Sequence, residues 1–324
     1  MKVVVYLNWS EYCFRANESD LKFLKSLLPP RTPVVAVTSD EEFVKALKTA
    51  THVITWHFKA EWYALAPKLQ LVATPAAGQE LIAPPSPSTS PSTSPSPSTS
   101  TSTSTLNLHF GHFHGPIMAE NVAAFCLAWA RGFWRVAYGA NAWPRTEISR
   151  EVFELKGTKA VILGCGNVGK AIAEKLCELG VDSYGFSRHQ PLTAAILRKV
   201  KPNWFILALP STTGTDDVVD AKFLCLLPRN CVLINVGRGN AVDEKALIEA
   251  LKTDKLAGAY LDVIKNEPSR TVPLFKNAVF EVTKKSPVKK LGLENKLFIS
   301  PHSSAFSLDY LKKAFQELKD DGCI

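Results

Sequence analysis

AVILGCGNVGKAIAEKL, residues 160–176, runs from an apolar stretch through Gly164, Gly166 and Gly169 into apolar residues at helical spacing. Strand, GxGxxG and helix within one unit predict a dinucleotide-binding turn, which glycines alone would not. Gly164 permits the tight turn, Gly166 admits a pyrophosphate close to the backbone, and Gly169 lets the helix approach the strand. The pyrophosphate then meets unpaired N–H groups and the positive end of the helix dipole. The alternative is a glycine-rich turn in some other parallel α/β unit.

Around this stretch, strands and helices alternate along the chain, which implies parallel sheets covered on both faces. Before it, residues 2–7, 33–38, 52–55 and 69–74 read as strands, with helices at 20–28, 40–50 and near Glu61, and no GxGxxG among them. After it come strands at 182–186, 204–209, 232–235 and 257–263. At 324 residues the chain is long enough for about two domains. The fold class is therefore α/β, with two Rossmann- or flavodoxin-like parallel sheets.

Composition narrows the function classes. The hydrophobic fraction of 46% and charged fraction of 21% are those of a globular protein in water. No apolar run reaches the roughly 20 residues that span a bilayer, and the opening MKVVVYLNWSEYC reads as a first strand rather than a signal peptide. Seven cysteines without a CxxC pair argue for a reducing compartment, so the expected localisation is cytoplasmic. The net charge of +8 is scattered, and only Lys284, Lys285, Lys289 and Lys290 cluster, which reads as a solvated loop and not a nucleic-acid surface. A general positive field suits small anionic substrates.

Three segments stand apart. Residues 84–105 are all Pro, Ser or Thr, so they are expected to form a disordered insertion, with Ser-Pro pairs as candidate phosphorylation sites. His109, His112 and His114 lie close together, but no Cys or carboxylate stands nearby at a ligand spacing, so a strand-to-helix connection with partly exposed imidazoles is expected and no metal. Pro116 then opens a helix, residues 117–138, apolar nearly all round and expected to be buried between domains or subunits.

Functional groups of an open α/β sheet gather at the C-terminal ends of its strands. Thr215, Arg238, Asp262, Glu267 and His302 all fall there. The strand at 182–186 ends in Ser187-Arg188, where an NAD site usually carries an acid for the ribose hydroxyls. A hydroxyl and a guanidinium can bind a 2′-phosphate that a carboxylate would repel, so NADP(H) is the expected cofactor and NAD(H) the alternative.

In order along the chain, GCGNVG (164–169), LPSTTGT (209–215), INVGRGNAVDEKAL (234–247), GAYLDVIKNEP (258–268) and ISPHSSA (299–305) resemble the D-isomer-specific 2-hydroxyacid dehydrogenases. The resemblance is dense over residues 155–305. It thins toward the N-terminus, where TPAAGQELI (74–82) resembles that family's carboxylate-binding loop and PIMAENVAA (116–124) its interdomain helix. The resemblance implies Arg238, Glu267 and His302 as catalytic residues, and Ala77 and Gly78 as backbone donors to the substrate carboxylate, with Arg238 also binding it. Cofactor contacts are implied at Gly164, Gly166, Asn167, Val168, Gly169, Ser187, Arg188, Leu209, Pro210, Thr215, Val236, Gly237, Asp262 and Ser304. It further implies a substrate domain, residues 1–115 plus 301–324, into which a nucleotide domain, residues 116–300, is inserted, and a homodimer.

The implied chemistry is reduction of a small 2-oxo acid to a D-2-hydroxy acid, with glyoxylate or hydroxypyruvate as the simplest substrates. His302 suits proton transfer near neutrality, Glu267 would orient it, and Arg238 would hold the carboxylate and polarise the carbonyl. The absence of a further C-terminal domain disfavours the extended phosphoglycerate dehydrogenases, and a histidine–glutamate pair is not needed for formate oxidation. Two departures from the family pattern stand out: Glu80 occupies a position where Asp is usual, and residues 270–297 are longer and more basic than expected. The alternative reading is a dinucleotide-sensing interaction protein resembling the C-terminal-binding-protein corepressors.

Overall fold

Continuous apolar runs such as VVVY and WFIL have no polar face to offer water, so they become strands covered by helices on both sides. The computed structural model describes residues 1–85, 106–133, 145–265, 267, 293 and 295–324. The chain divides into two compact units, Met1–His114 with Phe306–Ile324, and Gly115–Ala305.

The first unit carries a five-stranded sheet of β1 (Val3–Tyr6), β2 (Val34–Ala36), β3 (His52–Thr55), β4 (Leu71–Thr74) and β5 (Asn107–Phe110). All pairs are parallel and the order is β2-β1-β3-β4-β5. Phe43, Leu47, Phe58 and Trp62 fill one core, each fully or nearly fully buried and each contributing about 1.5–3 kcal/mol by leaving water. The helix Glu18–Leu27 starts on a capping box: the Asn17 side chain accepts from the Asp20 N–H, and the Asp20 carboxylate accepts from the Asn17 N–H. The C-terminal helix Tyr310–Asp320 belongs to this unit and buries Leu311, Ala314, Phe315 and Leu318, a stripe at helical spacing.

The second unit carries six parallel strands, β6 (Lys159–Leu163), β7 (Asp182–Phe186), β8 (Trp204–Leu207), β9 (Val232–Asn235), β10 (Gly258–Leu261) and β11 (Leu297–Ile299), in the order β11-β10-β9-β8-β6-β7. Chain order reverses beside β6, which pairs with β7 on one side and β8 on the other, in register at Ile162↔Ile206. A crevice opens at the carboxyl ends of strands where the order reverses, and β6 is the strand that leads into the glycine turn.

Several expectations change. The helix near Glu61 is a short 3-10 turn, Ala60–Leu65. The helix assigned to residues 117–138 begins at His114 and runs to Ala130, with its last part, from residue 134, outside the described residues. It buries Ala119, Val122, Cys126 and Ala130 in its own unit, yet leaves Leu127 41% exposed, as it does Phe133 beyond its end at 64%. A helix apolar all round has more apolar surface than one core can cover, and Leu127 lies on the part that its own unit leaves open. The Pro/Ser/Thr segment from residue 86 onward and the lysine cluster at 284–290 lie outside the described residues. Among the described residues no helix is long and apolar enough to cross a membrane.

Candidate active site

Each fingerprint glycine has its own physical reason. Gly164 has φ +104°, and a Cβ there would stand 2.5 Å from the Ala208 carbonyl oxygen on β8's exit. At Gly169 a Cβ would meet the Gly164 oxygen at 2.1 Å, which only glycine avoids. At Gly166 a Cβ would meet nothing within 4 Å. Gly166 is also the N-cap of the helix Asn167–Glu178, and no side chain caps it. The first N–H groups of that helix thus have no side-chain cap, and Gly166 and Asn167 are exposed at its positive end, the arrangement an anion requires.

The turn after β7 is a tight one. Ser187 N–H donates to the Gln190 oxygen at 3.0 Å and its hydroxyl accepts from the His189 N–H at 3.3 Å, while Arg188 is exposed. Leu209 and Pro210 follow β8, and Gly237 packs so closely there that a Cβ would lie 2.5 Å from Leu209 backbone atoms. The Thr215 hydroxyl is occupied in holding its own loop, donating to the Pro210 and Thr212 oxygens at 2.8 Å. Val236 is buried at the end of β9.

Asn235 prepares the next turn. Its side chain accepts from the Gly237 N–H at 3.1 Å and donates to the Arg238 carbonyl at 3.0 Å, which fixes the backbone from which the guanidinium projects. The Arg238 Nη1 donates to the Gly237 oxygen at 2.9 Å. Gly239 presses on the Ile264–Lys265 backbone, where a Cβ would lie 2.1 Å from Ile264. Glu244, buried and with its carboxyl pushed above the usual range by that burial, accepts from the Lys265 N–H at 2.7 Å. Lys265 also bonds Asp217.

His302 sits at φ +52°, a conformation that costs a non-glycine residue of order 1–3 kcal/mol unless its surroundings enforce it. Asp262 enforces it. The carboxylate of Asp262 is 1% exposed and accepts from the Ser300 hydroxyl at 2.6 Å, the Ser303 N–H at 2.8 Å and the Ser304 N–H at 3.1 Å, while its carbonyl accepts from the His302 N–H at 2.9 Å. Ser300 and Tyr260 share a 2.8 Å bond, and Tyr260 donates to Asn121 at the same distance. The Asp262 side chain thus cross-links the serine turn and acts as a positioning residue for the histidine.

The result is a pair. His302 Nδ1 lies 2.8 Å from Glu267 Oε2. That hydrogen bond raises the imidazole above its ordinary histidine range against the opposing cost of burial; the Glu267 and Asp262 charges add to the rise and Arg238 opposes it. An open cavity of about 450 Å³ is lined by Arg238, Glu267 and His302 together with Ser211, Asn240 and Lys265. A general acid, its carboxylate partner and a guanidinium therefore share one solvent-reachable space, which can bind an anionic carbonyl compound and exchange a proton with it.

Sequence reasoning missed Asn235, Ser300, Ser303 and the Glu244–Lys265 contact. A polar residue closing the apolar strand VLIN was the one signal available for Asn235. Ala77 and Gly78 lie in the first unit, in the loop after β4, where Ala77 is exposed. Two readings of the histidine run are corrected. His114 is buried, with Nε2 2.7 Å from the Tyr310 hydroxyl, and His109 and His112 meet carboxylates after all. Those carboxylates, Glu317 and Asp321, come from the C-terminal helix end, some two hundred positions away in the chain, where no local spacing could reveal them.

Residues 123–304 match the model of the D-isomer specific 2-hydroxyacid dehydrogenase family, NAD binding domain. A glyoxylate reductase of Thermococcus kodakarensis is 33% identical over 151 residues, 43% of this chain and 44% of that protein. A D-3-phosphoglycerate dehydrogenase of Methanocaldococcus jannaschii is 28% identical over 171 residues, 48% of this chain and 32% of that protein. The matched region thus spans less than half of these curated relatives. The NAD-complexed D-isomer specific 2-hydroxyacid dehydrogenase of Lactobacillus delbrueckii ssp. bulgaricus superposes with a TM-score of 0.73 over 100% of this chain and 96% of its own, at 17% identity, a likeness of fold. A family model matched over more than half of the chain, on a parallel sheet whose order reverses at a GxGxxG turn, is decisive: the chain belongs to the D-isomer specific 2-hydroxyacid dehydrogenase family.

Proposed function

We propose that the protein transfers a hydride between NADPH and a small 2-oxo acid to give the D-2-hydroxy acid. The observation that carries this reading is the His302–Glu267 pair, 2.8 Å apart, in one cavity with Arg238. The open, uncapped helix start at Gly166 supports pyrophosphate binding, and a hydroxyl with an exposed guanidinium on the Ser187-Arg188 turn supports a 2′-phosphate over a free ribose diol. The dinucleotide, when bound, supplies the hydride. Arg238 holds the substrate carboxylate and stabilises negative charge growing on the carbonyl oxygen. His302, whose Nδ1 is engaged by Glu267, gives the proton on Nε2 to that oxygen and recovers it in the reverse direction. Ala77 and Gly78 offer backbone N–H groups to the same carboxylate.

In this reading Met1–His114 with Phe306–Ile324 is the substrate-binding unit and Gly115–Ala305 the nucleotide-binding unit. The exposed Leu127 and Phe133 support a homodimer, and seven free thiols support a cytoplasmic setting. A dinucleotide-sensing role is disfavoured, because the relatives carry the names of reductases and dehydrogenases. Steady-state oxidation of NADPH and of NADH with glyoxylate, hydroxypyruvate, pyruvate and a bulky aromatic 2-oxo acid tests the proposal. Turnover that falls about 10²–10⁴-fold in His302→Ala supports it. Dinucleotide binding with no turnover on any acid defeats it.

A further inference from the structure

His109 lies on β5 and His112 in the turn after it, and both imidazoles face the end of the C-terminal helix. Glu317 and Asp321 are four apart there, so one helix face presents both carboxylates. His109 Nε2 stands 2.9 Å from Asp321 Oδ2 and 3.9 Å from Glu317 Oε1. His112 Nδ1 stands 2.7 Å from Glu317 Oε2, and its Nε2 lies 3.0 Å from the same Asp321 oxygen. Four side chains thus bring one ligating atom each within 4.8 Å of the others. We propose that this cluster binds one divalent first-row transition cation of the zinc type, which fastens the C-terminal helix to β5.

Three observations carry the inference independently of the hydride-transfer reading. The first is the donor set. Two imidazole nitrogens and two carboxylate oxygens suit zinc or cobalt, whereas calcium and magnesium take oxygen donors almost alone. Zinc bonds of about 2.0–2.2 Å in a tetrahedron set donors roughly 3.4 Å apart. The contacts here bracket that separation, so small rotations of partly exposed side chains complete the site.

The second is charge. Glu317 is only 7% exposed, and a carboxylate in such a place needs a cation. The Nδ1 of His109 is buried with no hydrogen-bond partner among the described residues, and its Nε2 is the nitrogen turned toward the two carboxylates. Two carboxylates converging on one point offer a dication the charge it needs.

The third is preorganisation. The His112 backbone N–H donates to both Glu317 oxygens, at 3.0 and 3.1 Å, which holds the buried carboxylate in place before any cation arrives.

The test is titration of the full chain with Co²⁺, followed by displacement with Zn²⁺. The expected result is one equivalent bound, visible absorption of tetrahedral cobalt without a thiolate charge-transfer band, and a Tm raised by several degrees with zinc. His112→Ala and Asp321→Asn alter partly exposed side chains, so each should fold normally without metal, as judged by circular dichroism and Tm. Each should weaken binding at least about tenfold and abolish the zinc-dependent rise in Tm. No stoichiometric uptake, uptake unchanged in both variants, or a thiolate band would each overturn the proposal and leave a purely hydrogen-bonded histidine–carboxylate cluster. Neither variant alters a residue assigned to hydride transfer, so this failure would be distinct from a failure of that reading.

Discussion

In each unit an apolar parallel strand leads on to a helix, β1 to Glu18–Leu27 and β6 to Asn167–Glu178, yet the two helices start in opposite ways. In the first unit Asn17 and Asp20 seal the helix start with their own side chains. In the second, Gly166 leaves it uncapped, with nothing within 4 Å of where a side chain would begin. The histidines differ too: His109 and His112 both contact Glu317 and Asp321, whereas His302 has one carboxylate partner, Glu267, and lines an open cavity. A helix start sealed by its own side chains contributes stability, and one left open gives a place for a ligand.

The sharpest way to break this comparison is to seal the second helix as the first is sealed. Gly166→Asp puts a carboxylate where the pyrophosphate must approach, at a cost of about 2–3 kcal/mol, or roughly a hundredfold in dinucleotide affinity. The folded state should survive, since the position is sterically open. Dinucleotide fluorescence titration beside a Tm measurement reads both, and unchanged affinity would remove the pyrophosphate from this turn.

Glu267→Gln addresses the histidine pair. Its hydrogen bond is the largest cause holding His302 above the ordinary range, so the wild-type imidazolium persists above pH ~6.5 and reduction extends upward with it. The variant should lose about tenfold in turnover, and its alkaline limb should move to lower pH. The linked stability follows the same sign: a raised histidine contributes fully below its unfolded value near pH 6.5 and loses that contribution as pH rises through the folded value. Paired pH–rate profiles decide the point, and coincident limbs would sever Glu267 from the titration.

Cofactor choice should respond less strongly. Ser187→Asp with Arg188→Ala removes a cation and adds an anion at the turn after β7, and should shift the NADPH-to-NADH ratio of kcat/KM by about tenfold toward NADH. An unchanged ratio places the discrimination elsewhere. The smallest effect belongs to the first unit: Asn17→Ala should cost about 1 kcal/mol of stability by denaturant titration and leave kcat untouched, because that capping bond serves only the helix.

Much of this was legible before any coordinates. The glycine spacing at 164–169 forecast its turn because the demands on Gly164 and Gly169 are local, arising between adjacent elements of one βα unit. Arg238, Glu267 and His302 could be singled out together because strand ends in an open sheet share one edge, and they line one cavity. What supports them was not legible. The carboxylate of Asp262 accepts from Ser300, Ser303 and Ser304, partners that strand pairing brings to it across β10 and β11 and that no local pattern announces. Thr215 likewise spends its hydroxyl on its own loop.

The sequence alone determined the two α/β sheets and the nucleotide-type turn and singled out Glu267 and His302, which the fold pairs, because hydrophobic period, glycine spacing and short motifs are encoded over a few neighbouring positions. Only the tertiary structure decided that His302 adopts its positive φ under Asp262, and that His109 and His112 meet Glu317 and Asp321. Those contacts join segments distant along the chain, and their energy depends on burial and orientation that no local pattern records.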